Sequence, residues 1–273
     1  MANFDSDERS NDSGTPVHLY EFRLGTKSWR YASSDHDITV GGVTYTSAPI
    51  YDEGITQSGD ASGDDLKITM PPTLEVTNLY VATPPTESVA VLLRRYHYGN
   101  TVAPVVWNGI VRNTSRRSAS AFEFSCRALL ASLNRVGLRL AWGRNCPYAL
   151  YDAQCKVNRF NYAVTTPVLT KGGDFVTVSG LDSYANGYFA GGYIQFPLGM
   201  GGATERMGIV SQVAGQLKLI GTTDKLAVGT SIMVFPGCAR TPTVCNTKFN
   251  NLLNYGGFPH MPDKSPFDGD PIF

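Results

Sequence analysis

The stretch DITVGGVTYTS, Asp37 to Ser47, decides the fold class. Two β-branched runs flank Gly41-Gly42. Glycine reaches the positive φ that a two-residue hairpin turn demands without steric cost, so the stretch predicts a tight β-hairpin. The same grammar continues on both sides. VHLYEFRL before it alternates as a strand, with Val17 and Leu19 on one face and Tyr20, Phe22 and Leu24 on the other. After it, a Gly/Ser/Asp loop from Ser58 to Asp65 leads into LKITM, which Pro71-Pro72 closes. SVAVLLRRYHYG, APVVWNGIVRNTS and SAFEFSCRALL read as three further strands at regular spacing, the pattern of a sandwich or barrel. LLASLNRVGLRL reads as a helical turn or short helix that closes this first domain.

A second β pattern starts after Val164. TPVLT, DFVTVS, GYIQF, ERMGIVSQV, QLKLIG and TSIMVF are short, separated by glycine-rich turns, and sufficient for a small closed barrel. Composition agrees with a mainly β chain: 28 Gly and 16 Pro among 273 residues supply turns, and only 17% of residues are charged. The division expected is a disordered leader at 1–14, an N-terminal β-sandwich or barrel-like domain at 15–140, a second β-barrel at 141–245 and an extended arm at 246–273. The leader, MANFDSDERSNDSG, is too polar to order itself and has no apolar core of a signal peptide. The arm is too polar for a core and too aromatic for a plain linker, so Tyr255, Phe258 and Phe273 are expected to touch a partner or to fold back on the first domain.

Charge and motif content exclude several functions. With 23 basic and 23 acidic residues the net charge is zero, which leaves no field to gather nucleic acid. Arg94-Arg95 and Arg116-Arg117 then read as strand-end or interface charges. No apolar run approaches the ~18 residues of a membrane-spanning helix. His18, His36, His97 and His260 sit in no catalytic motif, and neither G-x-S-x-G, H-E-x-x-H nor a phosphate loop occurs. Asp64-Asp65 reads as a solvated turn, and its surroundings lack the spacing of a calcium loop. An enzyme is not expected.

Five cysteines remain. Cys126 alternates with Phe122 and Phe124 and reads as a small buried apolar residue. Cys146 and Cys155 form one pair, in NCPYALYDAQC, and Cys238 and Cys245 a second, in GCARTPTVC. The pairs bracket the second barrel, whose entering and leaving strands would bring them together at its base. Spacing leaves three outcomes open. Two disulfides suit exported domains, a structural zinc favours tighter knuckles, and a cubane iron–sulfur cluster accepts wide spacing because each thiolate takes its own iron. Trp142, Tyr148 and Tyr151 are candidates to shield such a centre, and Arg144, Lys156 and Arg240 to offset its charge.

WGRNCPYALYDAQC and FPGCARTPTVCNTKFNNLLNYGGFPHMP resemble phage tail-tip hub proteins of the lambda minor tail protein L and gene-transfer-agent kind. The most specific part is C-x6-C-x3-F-x-N followed by N-Y-G-G-F-P-H, at Cys238 to His260. The resemblance implies a [4Fe–4S] cluster on Cys146, Cys155, Cys238 and Cys245. It also implies a virion tail-tip protein made and assembled in the host cytoplasm. Such hubs form a homotrimer between the hexameric tail tube or distal tail ring and a central trimeric tip protein; two β domains per chain would let three chains match six-fold symmetry. A zinc- or disulfide-stapled tail protein, and a cluster-dependent trigger of DNA ejection, are the alternatives.

Overall fold

The computed structural model describes residues 4–12, 14–55, 65–81, 83–134, 137, 140–199 and 202–262. The chain divides into two compact units, residues 1–135 with 197–205, and residues 136–196 with 206–273.

The first unit is built on β1 (Pro16–Leu24), β2 (Lys27–Ala32), β3 (Ile38–Val40), β4 (Val43–Ser47), β5 (Tyr51–Asp52), β6 (Leu66–Met70), β7 (Ala90–His97), β8 (Val105–Arg116) and β9 (Phe122–Ala128). These form one sheet in the order β3-β4-β2-β1-β7-β8-β9-β6-β5. The opening hairpin is as read: Val40 faces Val43 across the turn, and Gly41 and Gly42 take φ of 58° and 78°. β2 and β4 pair in parallel, the other recorded pairs of the sheet antiparallel. The two faces predicted for β1 separate as expected. Tyr20, Phe22 and Leu24 join the larger core, while Val17 and Leu19 join a smaller one with Ile38, Tyr45 and Tyr96.

A sandwich or separate closed barrel is not what forms here; one large sheet curls on itself. Five inter-strand steps separate β1 from β5 in the sheet order, about 24 Å if the sheet were flat. Yet the Asp52 carboxylate on β5 accepts from Tyr20 Oη at 2.6 Å and meets His18 Nδ1 at 2.6 Å on β1. Burial alone would push the Asp52 carboxyl up, but the hydrogen bonds from His18 and Tyr20 overcome it and hold it below its ordinary value. Side chains close this sheet where strand pairing does not.

One further expectation needs correction in this unit. Residues 4–8 of the leader form a short helix, α1 (Phe4–Glu8). It is held by Glu8 between Arg95 and His97 (2.8 Å to His97 Nε2) and by Asp7 on Asn100 at 2.8 Å. Composition identified a segment with no apolar face, but it could not show that Arg95 and His97 await its carboxylate. Arg117 likewise pairs locally, with Glu123 at 2.7 Å. The segment Leu129–Asn134 is a 3-10 helix, in line with the helical turn expected there. Cys126 is 1% exposed in the core and burial pushes its thiol pKa up, so it acts as packing.

The second unit contains a closed six-stranded barrel in the order β10-β11-β14-β13-β12-β15. Its strands are β10 (Val164–Gly172), β11 (Phe175–Val178), β12 (Tyr193–Pro197), β13 (Thr204–Val213), β14 (Gln216–Leu219) and β15 (Ser231–Phe235). Each corresponds to a strand read from the sequence. Val168, Val176, Ile194, Phe196, Leu217, Ile232 and Val234 fill the interior, each burial contributing roughly 1.5–3 kcal/mol. Among the described residues, no helix is long and apolar enough to cross a membrane.

Candidate functional site: the four-cysteine cavity

Two irregular segments carry the paired cysteines. In the first, Asp152 organises the loop: its carboxylate accepts from the backbone N–H of Ala149 at 3.0 Å and of Cys155 at 2.6 Å. In the second, Cys245 rides on a helix, α2 (Pro242–Phe249), that sequence reading missed. The signal was present. Thr241 is an N-cap whose hydroxyl accepts from Val244 N at 3.3 Å, Pro242 occupies the first turn, and Asn250 ends the helix in the left-handed region.

Backbone hydrogen bonds join the segments. Cys146 N donates to Arg240 O at 3.0 Å. The Asn of the C-x3-F-x-N pattern, Asn251, is the main staple. Its amide donates to Cys155 O at 2.6 Å, its backbone N–H to Cys245 O at 3.0 Å, and its carbonyl lies 3.2 Å from Cys245 Sγ. One residue thus contacts a cysteine of each pair.

All four cysteines line a single cavity of about 200 Å³, together with Tyr148, Val157, Arg240, Asn251 and Tyr255 among others. That is far more than the ~10–15 Å³ that seats one water. No disulfide links them. Among the described residues, no three His, Cys, Asp or Glu side chains are grouped to hold a metal ion. The electrostatic coupling of the four thiols is visible at Cys245. Burial pushes that thiol up first, and Cys238, Cys146 and Cys155 add to the effect. Four thiolates here would repel one another unless something cationic stood between them.

The surrounding backbone is held in costly conformations. Among the described residues, five non-glycine residues have positive φ, and four of them, Tyr151, Lys156, Arg240 and Asn250, lie in these two segments. Each costs on the order of 1–2 kcal/mol, and such conformations concentrate where geometry serves a site. Arg240 also donates its backbone N–H to Cys238 Sγ at 3.3 Å.

The predicted supporting residues divide. Tyr148 lines the cavity. Tyr151 stands behind it, with its hydroxyl on Pro236 O at 2.8 Å and its ring edge-on to Phe235 and Phe249. Trp142 does not shield the cavity: it is 77% exposed and stacks on Phe258 at 4.7 Å. Arg144 turns to Met261 O at 2.6 Å, and Lys156 is exposed. Arg240 is the member of the predicted basic trio that lines the cavity. The half-buried cation that reading missed is Lys248, 4.1 Å over the Tyr188 ring, which donates to Tyr188 O and to Gly237 O at 2.8 Å. Burial lowers its pKa, and Cys238 pulls the other way. Nothing in the sequence set it apart from the other lysines.

The arm also differs from expectation through residue 262. It folds back on the first cysteine segment of its own unit. Tyr255 Oη donates to Arg144 O at 2.7 Å and Phe258 N to Gly143 O at 2.9 Å. Gly256 passes so close to Tyr148 that an added Cβ would sit 2.3 Å from the ring. Tyr255 therefore lines the cavity, Phe258 stacks on Trp142 outside it, and Phe273 lies outside the described residues. No histidine lines the cavity. His18 bonds to Asp52, His36 to Asp35, and His97 to Glu8.

Comparison with known proteins fits this arrangement. The family described as baseplate hub protein, N-terminal attachment domain, matches residues 10–158, which include Cys146 and Cys155. The family described as phage conserved hypothetical protein BR0599 matches residues 187–265, which include Cys238 and Cys245. An uncharacterized protein of Xylella fastidiosa (strain 9a5c) is 30% identical over 135 residues, or 45% of this chain and 28% of that protein, so the chain spans under a third of its length. A chain of the virion of the native gene transfer agent particle shares the fold with a TM-score of 0.79 at 18% identity, over 98% of this chain and 95% of that one. With over half of its residues matched by the attachment-domain family, the chain belongs to the baseplate hub proteins and is a structural component of a phage-type virion tail.

Proposed function

We propose that this hub protein joins the tail tube, or the distal tail ring, to a central tip protein as a homotrimer, and that it holds a [4Fe–4S] cluster on Cys146, Cys155, Cys238 and Cys245. The observation that carries the cluster is the convergence of all four sulfurs on one cavity. A cubane presents four irons at separate corners, so it suits thiolates arranged around a space. A single zinc would need all its ligands about 2.3 Å from one point, so metal analysis separates the two readings. The donor set fits in charge as well as number. Lys248 interacts electrostatically with Cys238 and would offset part of the negative charge of thiolates and cluster, and Arg240 gives its backbone N–H to the same sulfur.

The role of the cluster in this reading is structural. It ties two segments separated by the whole barrel, closing a loop that would otherwise rest on a few hydrogen bonds. By the chain-entropy relation for cross-links, closure over a loop of this length is worth about 4 kcal/mol. Trimerisation and the tube-to-tip position rest on the family alone. Anaerobic purification with visible absorption, iron and sulfide analysis tests the cluster: a brown protein with about four irons per chain is expected. One zinc per chain, or two disulfides and no metal, would remove it. Sedimentation of the isolated protein tests the trimer, and a monomer that assembles with neither tail neighbour would overturn the joining role.

A further inference from the structure

A second site lies in the first unit, on the curled sheet, and it does not depend on the cluster. A cavity of about 320 Å³ is lined by Arg23, Arg30, Arg94, Glu21 and Tyr45, with Val40, Gly41 and Val43 of the β3–β4 hairpin at its rim. Glu21 is its only acidic lining residue, and it is fully committed. Its Oε1 accepts from Arg23 Nε at 2.9 Å and from Arg30 Nε at 3.1 Å, with Arg30 Nη2 also 3.1 Å away. Burial would push the Glu21 carboxyl up, but these two guanidinium groups outweigh burial and hold it below its ordinary value. One carboxylate thus serves two arginines, and Arg94 brings a third positive charge to the same space.

Arg94 is not satisfied by its surroundings. Nη1 donates to Ala103 O at 3.1 Å, and a side-chain hydrogen bond joins it to Tyr45. Its Nε is buried with no hydrogen-bond partner. A buried guanidinium N–H without an acceptor costs on the order of 1–3 kcal/mol or more, and guanidinium matches a carboxylate in a two-pronged geometry. The cavity is therefore lined by an excess of two positive charges and an apolar rim, with an unpartnered donor buried in its wall.

We infer that this cavity is a carboxylate-binding site, and that its occupant in the assembled tail is an acidic side chain, Asp or Glu, of a neighbouring protein chain. An acidic side chain would neutralise charge that Glu21 leaves uncovered, while its aliphatic stem would rest on Val40 and Val43. A free dicarboxylate offers the same chemistry and supplies the probe.

The test labels arginines with phenylglyoxal and reads modification site by site by mass spectrometry, on the full-length protein and on intact particles. In the isolated protein, glutarate at constant ionic strength should protect Arg23 and Arg94 saturably, with sodium chloride giving no such protection. In particles washed free of small carboxylates, the same two arginines should stay protected. In parallel, glutarate should raise the melting temperature of the isolated protein saturably, with apparent affinity falling at least tenfold in Arg94→Gln. Arg23→Gln, at a half-exposed position, is the second variant should Arg94→Gln fail to fold. Labelling unchanged by glutarate overturns the site. Protection by glutarate combined with free labelling in particles keeps carboxylate recognition but overturns the neighbouring chain as its source.

Discussion

The second unit holds two regions that are stabilised in opposite ways. The barrel is a closed strand ladder around an apolar interior of Val, Ile, Leu and Phe. The cysteine segments beside it have one short helix, single-turn pieces and four strained non-glycine residues. Burial is proportional to area and non-directional, so the barrel needs only residues of the right size on alternate positions. The cysteine region contributes Cys245, Phe249 and Val157 as buried apolar residues, too few to offset the ordering of about forty residues at 1–2 kcal/mol each. A region with that balance depends on a specific staple.

The largest effect should come from removing that staple. Cys238→Ser with Cys245→Ser is expected to abolish iron binding and to lower amide-exchange protection in residues 142–162 and 236–262 by about a thousandfold, the equivalent of about 4 kcal/mol. Barrel amides should keep their protection. A uniform loss across the unit would break the distinction between the regions. The converse variant, Ile194→Ala, should cost the barrel 2–5 kcal/mol in chemical denaturation while leaving iron stoichiometry unchanged in the folded fraction.

Two smaller perturbations sharpen the comparison. Lys248→Met leaves the carbonyls of Tyr188 and Gly237 without their donor, at about 1–3 kcal/mol; faster iron loss to a chelator at unchanged barrel stability is the expected readout. Asn251→Ala removes the amide on Cys155 O and should cost about 1 kcal/mol, again seen only in the cysteine segments.

The first unit provides a control indifferent to thiols. Asp52 and Glu21 both have folded-state pKa values below their ordinary ones. A carboxyl depressed in the folded state binds protons more readily when unfolded. Its stabilisation is therefore complete above the ordinary carboxylate range, about pH 4, and is lost as pH falls through the lower folded value. Asp52→Asn should flatten the acid limb of the stability profile of this unit. An unchanged profile would show that the curl of the sheet does not rest on Asp52.

The elements themselves were readable because they follow from local chemistry. Gly41-Gly42 can only be a turn of positive φ, alternating Val17–Leu24 can only bury two faces as a strand, and six punctuated apolar runs suffice to close a barrel. The cysteine pairs were likewise recognisable as a unit because nothing else in the chain explains their clustering. Tertiary structure decided which side chains serve them. Lys248 rather than Lys156 stands by Cys238, Asn251 bridges both pairs, and Trp142 leaves the cavity for Phe258. The same holds for Asp52 closing a sheet across five inter-strand steps and Glu8 finding His97. Alternation and turn propensity act between neighbours in sequence and so are written there. Charge pairing and cavity formation act between residues 32 to 96 positions apart in these cases, and their partners exist only once the chain has folded.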